Sequence, residues 1–189
     1  MRETAIGIDI GGTFTKFGLV DVEGNVLMEG SIPTYIHETI EPFLVALSQA
    51  INKGLDEVTD PFEIIGIGIG APNGNYYKGT IEHAPNLNWK GIVPFIDLFS
   101  KYFDLPMVLT NDANAAAIGE KVFGGAKDMN DFIVVTLGTG LGSGLVTRGK
   151  LIYGHDGLAG ELGHTNVYPD GRECNCGKRG CLETYASAS

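Results

Sequence analysis

The residues with most chemistry to offer lie together near the C-terminal end of the chain. They are Glu161-Leu-Gly-His164, followed by Cys174-Asn-Cys176-Gly-Lys-Arg-Gly-Cys181-Leu-Glu183. All 3 cysteines of the protein fall in this segment. One imidazole and three thiolates, His164, Cys174, Cys176 and Cys181, make a closed tetrahedral zinc set with no position left open for chemistry. Scattered cysteines would read as ordinary buried thiols. In the spacing C-x-C-x4-C, with Gly177 and Gly180 to relax the loop, they read as zinc ligands. Glu161 and Glu183 bracket the set, and a structural ion would carry them to fixed positions where carboxylates can grip the hydroxyls of a small polar ligand.

Two glycine turns could hold an anion. Asp9-Ile-Gly11-Gly12-Thr13 ends one apolar strand and starts the next, and glycines without side chains let backbone N–H groups approach phosphate oxygens. Thr13 and Lys16 add a hydroxyl and a positive charge, and Asp9 could carry magnesium through water. A plain glycine-rich hairpin with an exposed Asp fits the same residues. Gly138-Thr-Gly140-Leu-Gly142 repeats the turn, so Thr139 and Gly140 are further phosphate candidates. Neither segment is a P-loop or a G-x-G-x-x-G dinucleotide turn. Asn111-Asp112 reads first as a helix cap. At the C-terminal mouth of a strand, where ligands of open α/β sheets bind, the pair also reads as catalytic. Asp112 would accept a hydroxyl proton and Asn111 would fix a neighbouring hydroxyl.

The totals narrow the class. The chain has 189 residues, 43% of them apolar, and a net charge of -10. No basic surplus exists to neutralise phosphates, which argues against nucleic acid as a partner. No run of apolar residues is long enough for a membrane span. An odd cysteine count without a signal sequence points to a reducing cytoplasm. His37, His83 and His155 have no partner at ligand spacing, and a lone Trp89 reads as packing.

The elements that position these residues follow from periodicity. Strands are expected at Thr4 to Ile10, Phe14 to Val20 and Val26 to Ile32, with a hairpin turn at Gly24-Asn25. A helix from Glu38 to Val58 would bury Ile40, Phe43, Leu44, Leu47, Ile51 and Leu55. A buried strand from Ile64 to Gly70 leads to a polar loop, then a helix from Val93 to Phe103, a strand from Met107 to Thr110 and a helix from Asp112 to Phe123. This is a complete mixed α/β unit. After Gly124-Gly125 the pattern restarts, with strands from Phe132 to Leu137, Ser143 to Thr147 and Leu151 onward. Ile10-Gly11-Gly12-Thr13 beside Leu137-Gly138-Thr139-Gly140 is a weak internal repeat. Two domains are expected, residues 1–123 and 124–189, and the second reads as a chain cut short.

Together these elements resemble the ROK family, the repressors, open reading frames and kinases of the actin-like sugar kinase superfold. Five blocks match in order: Asp9-Ile-Gly-Gly-Thr13, Asn86-Leu-Asn-Trp89, Thr110-Asn-Asp-Ala-Asn114, Gly138-Thr-Gly140, and Glu161-Leu-Gly-His164 with Cys174 to Glu183. The resemblance implies an α/β, actin-like (ribonuclease H-like) fold of two duplicated βββαβα-type lobes, the second incomplete. It implies phosphorylation of a hexose at the 6-hydroxyl by magnesium ATP, with structural zinc. Asp112 would be general base, and Asn86, Asn111, Glu161, His164 and Glu183 would bind the sugar. His164 would put one ring nitrogen on zinc and the other toward a sugar hydroxyl. The resemblance suggests a homodimer. Glucose fits best, and N-acetylmannosamine, fructose and allose remain open. So does a non-catalytic sugar-binding or regulatory fragment, because most adenine and ribose contacts of the family lie in a segment expected beyond Ser189. A DNA-binding repressor is disfavoured by the acidic charge and by the absence of an N-terminal helix-turn-helix.

Overall fold

The computed structural model describes residues 1–188. The chain divides into two compact units, Met1–Asp112 and Ala113–Ser189.

The first unit opens on β1 (Arg2–Ile10), β2 (Phe14–Asp21) and β3 (Val26–Pro33), then α1 (Ile40–Asp56) and β4 (Phe62–Ala71). Three short strands follow, β5 (Gly74–Asn75), β6 (Thr80–Glu82) and β7 (Ile92–Val93), then α2 (Phe95–Phe99) and β8 (Met107–Asn111). The main sheet has the order β3-β2-β1-β4-β8. β1, β2 and β3 pair antiparallel as a meander, whereas β4 and β8 join β1 in parallel. Alternation along β1 sends Ile6, Ile8 and Ile10 inward, into one core with Phe43, Leu44, Leu47 and Ile51 of α1. Burial of each such side chain is worth about 1.5–3 kcal/mol.

Two expectations fail here. The helix expected over Val93 to Phe103 is only the five residues of α2. Phe95, Phe99 and Phe103 recur at four, but the bonding tightens to Tyr102 N to Phe99 O, and Pro106 restricts the chain before β8. The polar loop expected after β4 instead contains a three-stranded antiparallel sheet, β5-β6-β7. Its centre is the Glu82 carboxylate, which accepts bonds from Thr80 Oγ1 (2.8 Å), Lys78 Nζ (3.0 Å) and Asn75 Nδ2 (3.4 Å). Against the upward pull of burial, the bonds from Lys78 and Thr80 hold this carboxyl below its usual range.

α3 (Asp112–Val122) begins where β8 ends, with no residue between them. The second unit then carries β9 (Phe132–Leu137), β10 (Leu141–Thr147) and β11 (Lys150–Leu151), an antiparallel sheet in the order β11-β10-β9. A 3-10 turn at Leu162–His164 and the short helix α4 (Glu183–Ala186) complete it. The third strand is far shorter than the sequence suggested.

The repeat is real at the level of strand order, because β9-β10-β11 reproduces the meander β1-β2-β3. The burial differs. Ile6, Ile8 and Ile10 are covered, whereas their counterparts Ile133, Val135 and Leu137 are 54%, 45% and 61% exposed. Among the described residues the second unit has no helix equivalent to α1. No helix of the described residues is long and apolar enough to cross a membrane. Gly142, expected in the glycine turn, lies in β10 instead, as does Gly144. Both lie against α3, where a Cβ on Gly144 would meet Ala117 Cβ at 2.5 Å.

Candidate functional site

In the second unit, the 3-10 turn places His164, and a folded-over loop places the three cysteines. Gly177 N donates to Cys174 O (3.0 Å) and Cys174 N to Lys178 O (2.9 Å), turning the chain between the first two thiols. Val167 N donates to Gly180 O (2.8 Å) and Leu182 N to Thr165 O (2.9 Å), tying the loop to the segment after His164. Gly180 has φ 76° and its α-carbon lies against the Tyr168 carbonyl, so any side chain there would break the loop.

The donor set fits zinc. The ligand atoms of His164, Cys174, Cys176 and Cys181 all lie within 4.8 Å of one another. Cys176 Sγ to Cys181 Sγ is 3.7 Å, and Cys174 Sγ to His164 Nδ1 is 3.7 Å. Tetrahedral zinc with Zn–S bonds of about 2.3 Å requires sulfur–sulfur edges of about 3.8 Å. Burial pushes the Cys174 thiol up to about 12 and also raises Cys181, whereas the backbone N–H of Lys178 lowers Cys176. Buried thiols of this kind ionise only against a cation.

Two carboxylates border the set. Glu183 Oε1 lies 3.5 Å from His164 Nδ1 and accepts from Cys174 Sγ at 2.8 Å. Glu161 Oε2 lies 4.0 Å from His164 Nε2. The two ring nitrogens therefore face different ways, Nδ1 toward the thiols and Nε2 toward Glu161. Thr139 and Gly140 form the turn joining β9 to β10, closed by Gly138 N to Gly140 O (3.0 Å). A cavity of about 580 Å³ lined by Tyr168, Pro169, Asp170, Gly171 and Tyr185 contains none of the expected sugar residues. A smaller one, about 250 Å³, includes Glu161.

In the first unit, the turn at Gly11, Gly12 and Thr13 joins β1 to β2, with Gly11 N donating to Phe14 O (3.1 Å). Asp9 and Lys16 face each other across this hairpin. Asn111 is the last residue of β8 and Asp112 the first of α3. Desolvation raises the Asp9 pKa, the Asp112 carboxylate raises it further, and Lys16 opposes both. A carboxyl raised in the native state binds its proton more tightly there than in the unfolded chain. Its contribution to stability is therefore full below the ordinary value of 3.8 and is lost as pH rises through the raised one. In Asp112→Asn the Asp9 carboxyl is expected to titrate at lower pH, read by carbon-13 NMR. An unmoved Asp9 would show that the two groups are not electrostatic neighbours.

Asn86 is exposed on a loop anchored by buried Leu87 and Trp89. Trp89 packs on Phe43 (ring centroids 4.5 Å) and donates from Nε1 to His37 O (3.2 Å). That is the packing role expected of it. The same His37 carbonyl shows what sequence reasoning missed. Asn88 Nδ2 donates to Tyr35 O (3.0 Å) and His37 O (3.4 Å), across 53 and 51 residues, with no periodic signal to announce it. His155 is fully exposed beside Asp156.

The chain is similar to known proteins. The model of the ROK family matches residues 5–189. The glucokinase of Streptomyces coelicolor is 44% identical over 183 residues, covering 96% of this chain and 56% of its own length. The xylose repressor of Caldicellulosiruptor bescii is 40% identical over 185 residues, covering 96% of this chain and 46% of its own. Among solved structures, a ROK family glucokinase from Streptomyces griseus in complex with glucose and AMPPNP superposes with TM-score 0.82 at 40% identity, covering 97% of this chain and 57% of that one. The chain thus spans about half the length of the curated relatives it matches. With the family model matching nearly every residue and the actin-like sugar kinase fold shared by these structures, the chain belongs to the ROK family.

Proposed function

We propose that this chain carries the sugar and phosphate sites of a hexose kinase, which transfers the γ-phosphoryl group of ATP to the 6-hydroxyl of glucose. The observation that supports it most is that Asp9, beside the first glycine turn, and Asp112, just past β8, lie at the same end of the parallel strands β1, β4 and β8. One carboxylate is then available for a metal-bound phosphate and the other for the hydroxyl.

Asp112 is the general base of this reading, and Asn86, Asn111, Glu161, His164 and Glu183 are its sugar-binding residues. Gly11, Gly12 and Thr13 offer backbone amides and a hydroxyl to phosphate, as do Thr139 and Gly140, and Lys16 adds charge. Asp9 would approach, through water, magnesium brought in with ATP, which would neutralise phosphate charge. Asp112 takes the proton of the 6-hydroxyl as the phosphoryl group transfers. Its carboxylate need not be strongly basic, because in a loose transition state the proton moves late. His164, Cys174, Cys176 and Cys181 would hold zinc, which would supply rigidity and so fix His164 and Glu183.

The xylose repressor relative favours a second reading, in which sugar is bound but nothing is transferred. A coupled ADP-release assay with magnesium ATP separates the two when run across glucose, N-acetylmannosamine, fructose and allose. Glucose-stimulated release supports the kinase. Glucose binding with ADP release equal with and without every sugar supports the second reading.

A further inference from the structure

Each glycine turn proposed to hold phosphate is packed directly against a residue proposed to hold sugar. A Cβ on Gly12 would lie 2.6 Å from the carbonyl oxygen of Asn86 and 3.1 Å from its Cβ. A Cβ on Gly140 would lie 2.9 Å from Glu183 Oε2. Contacts under 3.0 Å to a backbone atom force that backbone to move, and the Asn86 carbonyl is such an atom. Gly12 therefore has a second duty, to leave room for the Asn86 backbone, and Gly140 leaves room for the Glu183 carboxylate, the end of a side chain that a Cβ would turn aside.

Further contacts close a ring in the first unit. Thr13 O accepts from Thr34 N (2.8 Å), and Thr34 Oγ1 meets Thr15 Oγ1 at 2.8 Å in a buried pair. The next residues, Tyr35 and His37, accept the side-chain bonds of Asn88 and Trp89 on the Asn86 loop. From that loop the path returns to Gly12 by van der Waals contact. The phosphate turn, the Thr34–His37 segment and the Asn86 loop are one connected body. In the second unit Gly138 O accepts from Ala188 N (2.9 Å), which ties the turn to the end of the helix that starts at Glu183.

We propose that Gly12 and Gly140 are positioning residues for Asn86 and Glu183, so that phosphate at either turn and hexose at its neighbouring side chain stabilise each other's binding. This rests on the hexose-kinase reading for the identity of the ligands, but the mechanical coupling does not. A residue with only a phosphate role would leave sugar affinity untouched in the absence of nucleotide. A positioning residue would not. The coupling is reciprocal: what sugar does for phosphate, phosphate must do for sugar by the same factor.

The test uses the zinc-loaded 189-residue chain without nucleotide. Calorimetric titration with glucose is expected to show affinity lowered about fivefold or more in Gly12→Ala and in Gly140→Ala. The same glucose affinity as the unsubstituted chain, with binding of magnesium tripolyphosphate weakened, would overturn the proposal. Should Gly12→Ala not fold, Asn88→Ala replaces it, because Asn88 is exposed and its loss removes two of the three side-chain bonds that tie the Asn86 loop to Tyr35 and His37, leaving that of Trp89. Amide hydrogen exchange reads the same coupling without sugar. Magnesium tripolyphosphate is expected to slow exchange over residues 86–90 in the unsubstituted chain, and to slow it less in Asn88→Ala. Exchange there that ignores tripolyphosphate would contradict the coupling. Failure of the unsubstituted chain to bind glucose, with that slowing intact, would instead overturn the hexose reading and leave the coupling standing.

Discussion

Asp112→Asn is expected to lower glucose-dependent ADP formation by about 10²–10⁴-fold, the range set by loss of a general base. The amide has the size and shape of the carboxylate but accepts no proton. It sits at the first position of α3, directly after the last residue of β8, where the backbone is fixed by the strand on one side and the helix on the other. The fold should tolerate the change, since removing a charge next to Asp9 relieves a repulsion that raises the Asp9 pKa. The loss belongs in kcat and not in the affinity for glucose, because proton acceptance acts only in the transition state. Steady-state kinetics against glucose and ATP read the split. A rise in the glucose KM with kcat unchanged would make Asp112 a sugar ligand alone.

The second large effect is on the metal. Cys176 is the exposed thiol of the set, so Cys176→Ser disturbs ligation without opening a hole in the core. Zinc affinity is expected to fall by more than the roughly 10–100-fold that follows loss of an outer partner of a ligand. Glucose affinity should fall with it. Glu183 follows Cys181 by two residues and lies 3.5 Å from the imidazole of His164, so a loop released from the metal no longer holds either in place. Zinc content by atomic emission and glucose affinity by calorimetry, measured on the same preparations, check the pair. Glucose affinity preserved in a zinc-free Cys176→Ser protein would separate the metal from the sugar site. Removal of the ion by a chelator should reproduce the loss in the unsubstituted chain and be reversed by added zinc.

Features that are local along the chain are legible in the amino-acid sequence alone. The cluster of His164, Cys174, Cys176 and Cys181 is the clearest, because four metal-ligating residue types within a short segment carry their own spacing rule. The meander of β1 to β3 and the buried stripe of α1 follow from periods of two and of three to four, which need only a window of residues. What escaped is non-local or very short. Strands β5 to β7 have two or three residues each, too few to show alternation, and they are held by side-chain bonds to Glu82. The spacing of Phe95, Phe99 and Phe103 suits a helix, yet the chain turns out of it to reach β8. Gly142 reads as part of a glycine turn, and only the approach of α3 shows why it and Gly144 are glycine. The tie from Asn88 to Tyr35 and His37 joins side chain to backbone across some fifty positions, and no pattern in the sequence marks it.

Phosphorus-31 NMR of the products formed from glucose and magnesium ATP tests the central claim most directly, on the 189-residue chain beside its Asp112→Asn variant. Glucose 6-phosphate formed in step with ADP by the first, and absent with the second, is the expected result. ATP consumed without a sugar phosphate, or glucose 6-phosphate formed equally by the variant, would contradict it.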